Sequence, residues 1–142
     1  MKNITIADLL KKTTNVPVAL DENGLESINV RGISIRDIGS LYREHKDIMI
    51  KLVGKEDDVK DDNGGIDWGK VIDVSPEFIA QVIARGVQCT ADEAASLPVG
   101  IQARLVVGIW NASQIDQTMI EEVVKKILAA LTNVNAAIGS KI

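Results

Sequence analysis

The sequence contains few aromatic residues. They make up 3% of the 142 positions, whereas hydrophobic residues make up 46%, so the core must be built mainly from Ile, Val, Leu and Ala. An aliphatic core of this kind favours packed helices over an aromatic-rich β-sandwich. A chain of this length suits one domain with a substantial core. We therefore expect a single, mainly α-helical domain over residues 1–142.

Cysteine, long apolar runs and clustered positive charge are also scarce. Cys89 is the only cysteine and has no partner for an internal disulfide. No apolar run approaches the roughly 20 residues of a membrane helix, and the N-terminus lacks the apolar stretch of a secretory signal. The net charge is −4, and scattered Lys and Arg give no cationic face for nucleic acid. We expect a protein of a reducing cytoplasm that binds neither membranes nor nucleic acid.

Residues 15–33 predict a small β-hairpin. Two stretches rich in β-branched residues, 16–20 and 27–33, flank the sequence DENG at 21–24. The Asn-Gly pair adopts left-handed turn conformations at low cost. Pro17 has no N–H to donate to a central ladder, which places its strand at an edge.

The hairpin is followed by a corner at Arg31-Gly32 and then by a helix signal. Gly32 permits a change of chain direction, and Ser34 is suited to cap a helix whose third residue is Asp37. We interpret the corner as a junction that joins the hairpin to the first large helix. For Arg31, pairing with a local acid or exposure to solvent is favoured over contact with a partner.

Helical spacing of apolar residues recurs along the chain, with capping residues or proline at the starts and glycine at several stops. It predicts a domain of about five helices with a small N-terminal β-hairpin. Besides a short helix near the N-terminus and another after Thr90, the predicted helices lie at 35–52 with a stop at Gly54, from Pro76 to a stop at Gly86, from Leu97-Pro98 onward, and at 115–137.

The stretch 54–67 is rich in aspartate and nearly free of apolar residues, which predicts an exposed acidic loop. A calcium-binding EF-hand loop needs oxygen ligands at positions 1, 3 and 5 before glycine at position 6. Counting back from Gly64 places Val59 first, and counting back from Gly65 places Lys60 first. The pattern fails in both registers, and we predict no metal site.

Candidate catalytic residues are few. His45 is the only histidine and lies on the apolar side of its predicted helix, where a partly buried side chain is the ordinary interpretation. Cys89 has no histidine near it in sequence. No phosphate-binding P-loop and no G-x-G-x-x-G motif occurs. We expect no catalysis and no cofactor; an enzyme with an unrecognised site at His45 or Cys89 is the weaker alternative.

Surface residues therefore carry the predicted function. Tryptophan concentrates binding energy at interfaces, although packing in the core is the favoured role for both tryptophans. In the helix after Pro98, apolar residues recur every four positions. The candidate partner-binding residues are Ile101, Leu105, Ile109, Trp110, Trp68 and Arg31.

Two segments carry motifs in a distinctive order. In 28–53 the sequence Val30-Arg31-Gly32-Ile33-Ser34 is followed by Asp37-Ile38, and in 76–113 Leu97-Pro98 is followed by Gln102 and an aliphatic helix. In this order and spacing the segments resemble the tail assembly chaperones of long-tailed bacteriophages, also called pre-tape-measure proteins. The motif residues that carry the resemblance are Gly32, Ser34, Asp37, Leu97, Pro98 and Gln102.

The resemblance implies a protein that binds without catalysis. In that family the chaperone coats the long, helix-rich tape measure protein before the tail tube polymerises around it, and aliphatic helix faces suit a helix-in-groove contact. Some members also have a longer form, made by frameshifting, that recruits tail tube protein. The resemblance further implies weak self-association, a location in the host cytoplasm during assembly, and absence from the mature virion. A structural tail completion or connector protein of the virion is the alternative.

Overall fold

Helices dominate the computed structural model, which describes residues 1–54 and 56–113 and the single helical positions Glu122, Lys125, Lys126 and Ala129. The first two ranges contain seven helices and one two-stranded sheet, which confirms the mainly α prediction. The predicted helix at 115–137 lies outside the described residues, apart from those four positions. In chain order the elements are α1 (Ile6–Thr14), β1 (Val16–Ala19), β2 (Ser27–Val30), α2 (Ile35–Glu44), α3 (Lys46–Gly54), α4 (Trp68–Val74), α5 (Pro76–Val87), α6 (Ala91–Ala95) and α7 (Val99–Ala112).

The predicted hairpin is confirmed. Strands β1 and β2 pair antiparallel, with Val16 opposite Val30, and together they form the whole of this sheet. Pro17 therefore lies on an edge strand, as its missing N–H requires. At the turn, Gly24 adopts a φ of +66°, which glycine reaches without a steric penalty.

The predicted helix caps are also confirmed. Ser34 and Asp37 form a reciprocal capping box at the start of α2, and Thr90 forms the same arrangement with Glu93 at the start of α6. Each box satisfies backbone N–H groups that have no partner within the helix. The hydrogen bonds from Thr90 lower the pKa of Glu93. These caps fix where the helices begin.

The single helix predicted over 35–52 is wrong in one respect, because the structure divides it at His45. The backbone there leaves the helical region, with φ −133° and ψ 48°, and its N–H bonds to the carbonyl of Leu41. Buried apolar residues continue at helical spacing on both sides of the break. Periodicity alone therefore does not reveal the bend.

Helix α4 was absent from the sequence prediction. It begins after Asp67, whose carboxylate accepts a hydrogen bond of 3.1 Å from the N–H of Lys70. With seven residues, α4 is too short to show a clear apolar stripe. Its signal was the capping aspartate, which lies at the end of the acidic stretch.

Helix α5 forms the centre of the described core and packs against α2, α4, α6, α7 and β2. Helix α5 continues one residue past the predicted stop at Gly86, to Val87, and the capping residue Gln88 has a left-handed backbone, φ +62°. A Cβ atom on Gly86 would overlap the side chain of Ile109. Glycine at this position therefore allows α5 and α7 to approach closely.

The acidic stretch 54–67 differs from a purely exposed loop at its two apolar residues, Val59 and Ile66. Val59 is only 1% exposed and belongs to the core, and its carbonyl accepts a 2.9 Å hydrogen bond from the N–H of Asp67. Nearby, Lys51 forms an ion pair with Asp58, which raises the pKa of Lys51 and lowers that of Asp58. Ile66 is half-buried against the core and forms a β-bridge with Lys60. These two apolar residues thus anchor the otherwise charged loop.

Candidate interaction surface

Arg31 connects the end of β2 to two helices. Its backbone N–H bonds to the carbonyl of Gly86 at 2.8 Å, and its Nε donates to the carbonyl of Arg85 at 3.0 Å. Its guanidinium lies 3.3 Å from the carboxylate of Asp37. The predicted pairing with a local acid is confirmed, and these bonds explain why Arg31 holds this position.

Asp37 lies at the centre of this polar cluster and is 14% exposed. One carboxylate oxygen accepts hydrogen bonds from the backbone N–H of Ser34 at 2.9 Å and from its hydroxyl at 3.0 Å. The other oxygen lies 3.6 Å from Nε of Arg85, which also donates to the hydroxyl of Ser40. One carboxylate therefore both helps to cap α2 and forms ion pairs with two arginines, a role in folding.

Gly32 joins four elements. Its N–H bonds to the carbonyl of Thr13, the penultimate residue of α1, at 2.9 Å, and the next N–H, of Ile33, bonds to the hydroxyl of Ser113 at 2.7 Å. A Cβ atom on Gly32 would lie 2.7 Å from the carbonyl oxygen of Ala112 and from Cα of Ser113. The ends of α1, β2 and α7 and the start of α2 therefore meet here, and we call Thr13, Gly32, Ile33 and Ser113 the four-element junction.

The second motif, at Leu97, Pro98 and Gln102, joins α6 to α7. Pro98 occupies the position immediately before α7, and the side-chain amide of Gln102 donates a 2.9 Å hydrogen bond to the carbonyl of Ala94. Leu97 is half-buried against the core. In the described structure, all three contribute to the connection between these helices.

Two candidate partner-binding residues face the interior. Leu105 is 2% exposed and Ile109 is 0% exposed, so neither presents a surface to a partner in this conformation. Ile101 is half-buried and packs against the same core. The four-residue spacing therefore identifies the side of α7 that packs into the core of this chain. The prediction that Leu105 and Ile109 lie on an accessible face is wrong.

The two tryptophans contact each other. The rings of Trp68 in α4 and Trp110 in α7 pack edge to face, with centroids 5.1 Å apart and planes at 63°. Both rings are half-buried, and Trp68 also packs against the core. The pair thus supplies packing between helices while part of each ring remains accessible.

A double-mutant cycle on this pair is expected to show a coupling of about 0.5–1.5 kcal/mol in the free energy of unfolding, the usual range for edge-to-face aromatic pairs. The variants are Trp68→Leu, Trp110→Leu and both together, measured by urea denaturation. Leucine removes the aromatic ring and leaves a smaller apolar side chain, and the cycle subtracts the separate effect of each change, so the coupling reports the ring contact. Additive effects of the two single changes would contradict a stabilising role for the pair.

The largest group of exposed apolar residues on one described helix lies on α1. No residue of α1 is buried, and Ile6, Leu9 and Leu10 are 74%, 40% and 56% exposed. Their spacing places them on one side of the helix, and we call them the α1 face. Helices of soluble proteins ordinarily bury such a stripe, so the α1 face is a candidate interaction surface.

An open cleft of about 400 Å³ lies beside the break between α2 and α3. Its lining mixes basic and acidic side chains, and the ring of His45 packs edgewise on Phe78 with centroids 5.7 Å apart. Cys89 lies elsewhere and is half-buried; burial, with a smaller effect of Glu93, raises the pKa of its thiol, which disfavours the nucleophilic thiolate. Over the described ranges 1–54 and 56–113, no three acidic, histidine or cysteine side chains cluster in a way that suits a metal ion.

A family model for the pre-tape measure protein matches residues 4–141. The chain belongs to this family. The match extends the resemblance seen in 28–53 and 76–113 to nearly the whole chain, including the acidic stretch and the region after Ser113. Neither the curated proteins nor the solved structures gave a match.

Family membership assigns the chain to phage tail assembly, in connection with the tape measure protein. The matched range begins before α1 and therefore includes the α1 face and the four-element junction. None of the helices in the described part has the length and apolar character needed to cross a bilayer.

Proposed function

We propose that this pre-tape measure protein is a tail assembly chaperone that binds the tape measure protein and keeps it soluble until the tail tube polymerises. The observation that carries the proposal is the family match over residues 4–141. A tape measure protein has long amphipathic helical surfaces, and covering these before the tube forms prevents their aggregation.

The described polar side chains support action by binding. The carboxylate of Asp37 and the guanidinium groups of Arg31 and Arg85 are engaged with one another and with helix ends. These contacts give each charged group of this polar cluster a role in holding the fold together. We propose that the protein has no catalytic activity of its own.

The proposal includes where and with what the protein works. It acts in the host cytoplasm during assembly, associates weakly with itself and leaves before the virion is complete. A longer, frameshifted form recruits tail tube protein. Weak individual contacts suit this role, because tube subunits must displace the chaperone.

Co-expression with the tape measure protein of the same phage tests the proposal. We expect a several-fold rise in soluble tape measure protein and co-purification of the two chains on a tag placed on either one. An unrelated helical protein of similar size, expressed at the same level, is the control. Unchanged solubility with no complex at high expression would contradict the proposal.

Mass spectrometry of purified virions separates the chaperone from a structural tail protein. A chaperone that leaves gives few or no peptides relative to the tube protein. Peptides at the stoichiometry of a tail component would instead establish a structural role.

A further inference from the structure

The outer edge of β2 carries backbone groups that the hairpin does not use. In an antiparallel pair, positions that exchange hydrogen bonds alternate with positions that do not. The N–H of Leu20 donates to the carbonyl of Glu26 at 3.0 Å, and the register continues from this pair along both strands. The N–H and C=O groups of Ser27 and Asn29 therefore point away from β1, and we call these two residues the β2 edge.

The β2 edge is accessible. Ser27 and Asn29 are both exposed, and no described residue forms a hydrogen bond with their outward backbone groups. An edge of this kind pairs readily with another strand. On β1 the matching outward position is Pro17, opposite Asn29, which has no N–H to donate. The sheet is therefore better suited to gain a strand beside β2 than beside β1.

The N–H groups on both sides of the β2 edge are already occupied. The N–H of Leu25 donates to the carboxylate of Asp21 at 3.0 Å. The N–H of Arg31 donates to the carbonyl of Gly86 at 2.8 Å. An added strand must therefore match two donors and two acceptors at alternate positions, and it meets no free donor immediately beyond them.

We propose that the β2 edge is a self-association surface, on which β2 of a second copy pairs antiparallel with Ser27 opposite Asn29. A two-fold axis then passes beside Ile28, and each of the two symmetric pairs exchanges both of its hydrogen bonds. The same register places Leu25, which is 81% exposed, opposite Arg31 of the second copy. The contact therefore also covers an exposed apolar side chain.

An extended segment of another protein is the competing occupant of the β2 edge. A second copy is the better match because its own edge presents the same two donors and acceptors at the same spacing. Pairing uses the β2 edge of both molecules and leaves Pro17 at each outer edge, so the assembly closes as a dimer. The strands have four residues each and give few hydrogen bonds. This inference rests on the weak self-association in the proposed function and gives it a surface.

Analytical ultracentrifugation of the full chain tests the contact with Asn29→Pro. This change removes an outward N–H and leaves the bonds between β1 and β2 intact, as Pro17 does on the neighbouring strand. Two hydrogen bonds are lost per dimer, so we expect the dissociation constant of the dimer to rise about tenfold. Asn29→Ala keeps the N–H and is the matched control, with the dissociation constant of the parent. Circular dichroism checks that both variants are folded.

Equal dimerisation of these two variants would overturn the proposal and would leave self-association to another surface. A parent chain that stays monomeric at millimolar concentration would overturn both the proposal and the self-association, and would leave the β2 edge to an extended segment of another protein. Neither outcome affects binding to the tape measure protein, which co-expression measures separately.

A pair of charge variants provides a second test that keeps every backbone N–H. In the proposed register, Ser27→Lys/Asn29→Glu places opposite charges across the contact, while Ser27→Lys/Asn29→Lys places like charges there. We expect the first variant to dimerise several-fold more tightly than the parent and the second several-fold more weakly. Equal changes in the two dissociation constants would overturn the antiparallel pairing of Ser27 with Asn29.

Discussion

Replacing Gly32 with alanine is expected to lower the free energy of unfolding by about 2–3 kcal/mol, a typical cost of adding volume where neighbours cannot move. The new Cβ atom would lie 2.7 Å from the carbonyl oxygen of Ala112 and from Cα of Ser113. Both are backbone atoms at the end of α7, so relief requires a shift of the helix end. The change is measured as the midpoint of urea denaturation at unchanged m value.

Gly100→Ala is the matched control for this prediction. A Cβ atom on Gly100 meets nothing within 4 Å, and alanine is the better helix former by about 1 kcal/mol at interior positions. We expect no loss of stability and a small gain. If both substitutions had the same effect, close contact at the four-element junction would not be the reason that residue 32 is glycine.

Asp37→Ala is expected to cost about 2–4 kcal/mol, because one change removes a helix cap and leaves two arginines without their shared carboxylate. Asp37 is mostly buried and contacts Ser34, Arg31 and Arg85. Thermal or urea denaturation measures the loss. Asp37→Asn separates the contributions, since the amide oxygen still accepts from Ser34 while the charge is lost.

Asp73→Ala is the control for this prediction, as Asp73 is an exposed aspartate on α4. Its removal should change stability by no more than about 0.5 kcal/mol. An Asp37→Ala variant as stable as this control would show that the polar cluster contributes little to folding. An Asp37→Asn variant as unstable as Asp37→Ala would assign the stabilisation to the charge.

Local features of the fold were predictable from sequence because they depend on residues within a few positions of each other. The capping boxes at Ser34 and Thr90 and the turn at Gly24 are of this kind. Each is satisfied by hydrogen bonds or backbone conformations that neighbouring residues determine. The starts of α2 and α6 and the hairpin therefore agree with the prediction.

Features that depend on distant residues were not predictable. The contact of Gly32 with Ser113 joins positions 81 residues apart, and no local pattern relates them. Gly86 reads as a helix stop in sequence, but its role depends on Ile109 in another helix. Val59 is one apolar residue among charges, and only its place in the core reveals that it is buried.

In the candidate site, too, local features were predictable from sequence and features that depend on distant residues were not. Apolar periodicity correctly found the stripe at Leu105 and Ile109, yet a stripe does not specify whether the chain itself or a partner covers it. The structure places both residues in the core and leaves the α1 face exposed. The motif residues around Gly32 and Gln102 were found from their order, and their contacts connect elements of the fold.

The two glycine contacts of α7 have a mechanical consequence. Gly108 of α7 lies against the side chain of Val18 in β1, and Gly86 of α5 lies against the side chain of Ile109 in α7. At each glycine an added Cβ atom would overlap the neighbouring side chain. An axial displacement of α7 would move these side chains off the glycines and against bulkier positions. Tension applied to the chain beyond Ser113 is therefore resisted by the core, and the point from which that segment extends stays fixed while it is pulled.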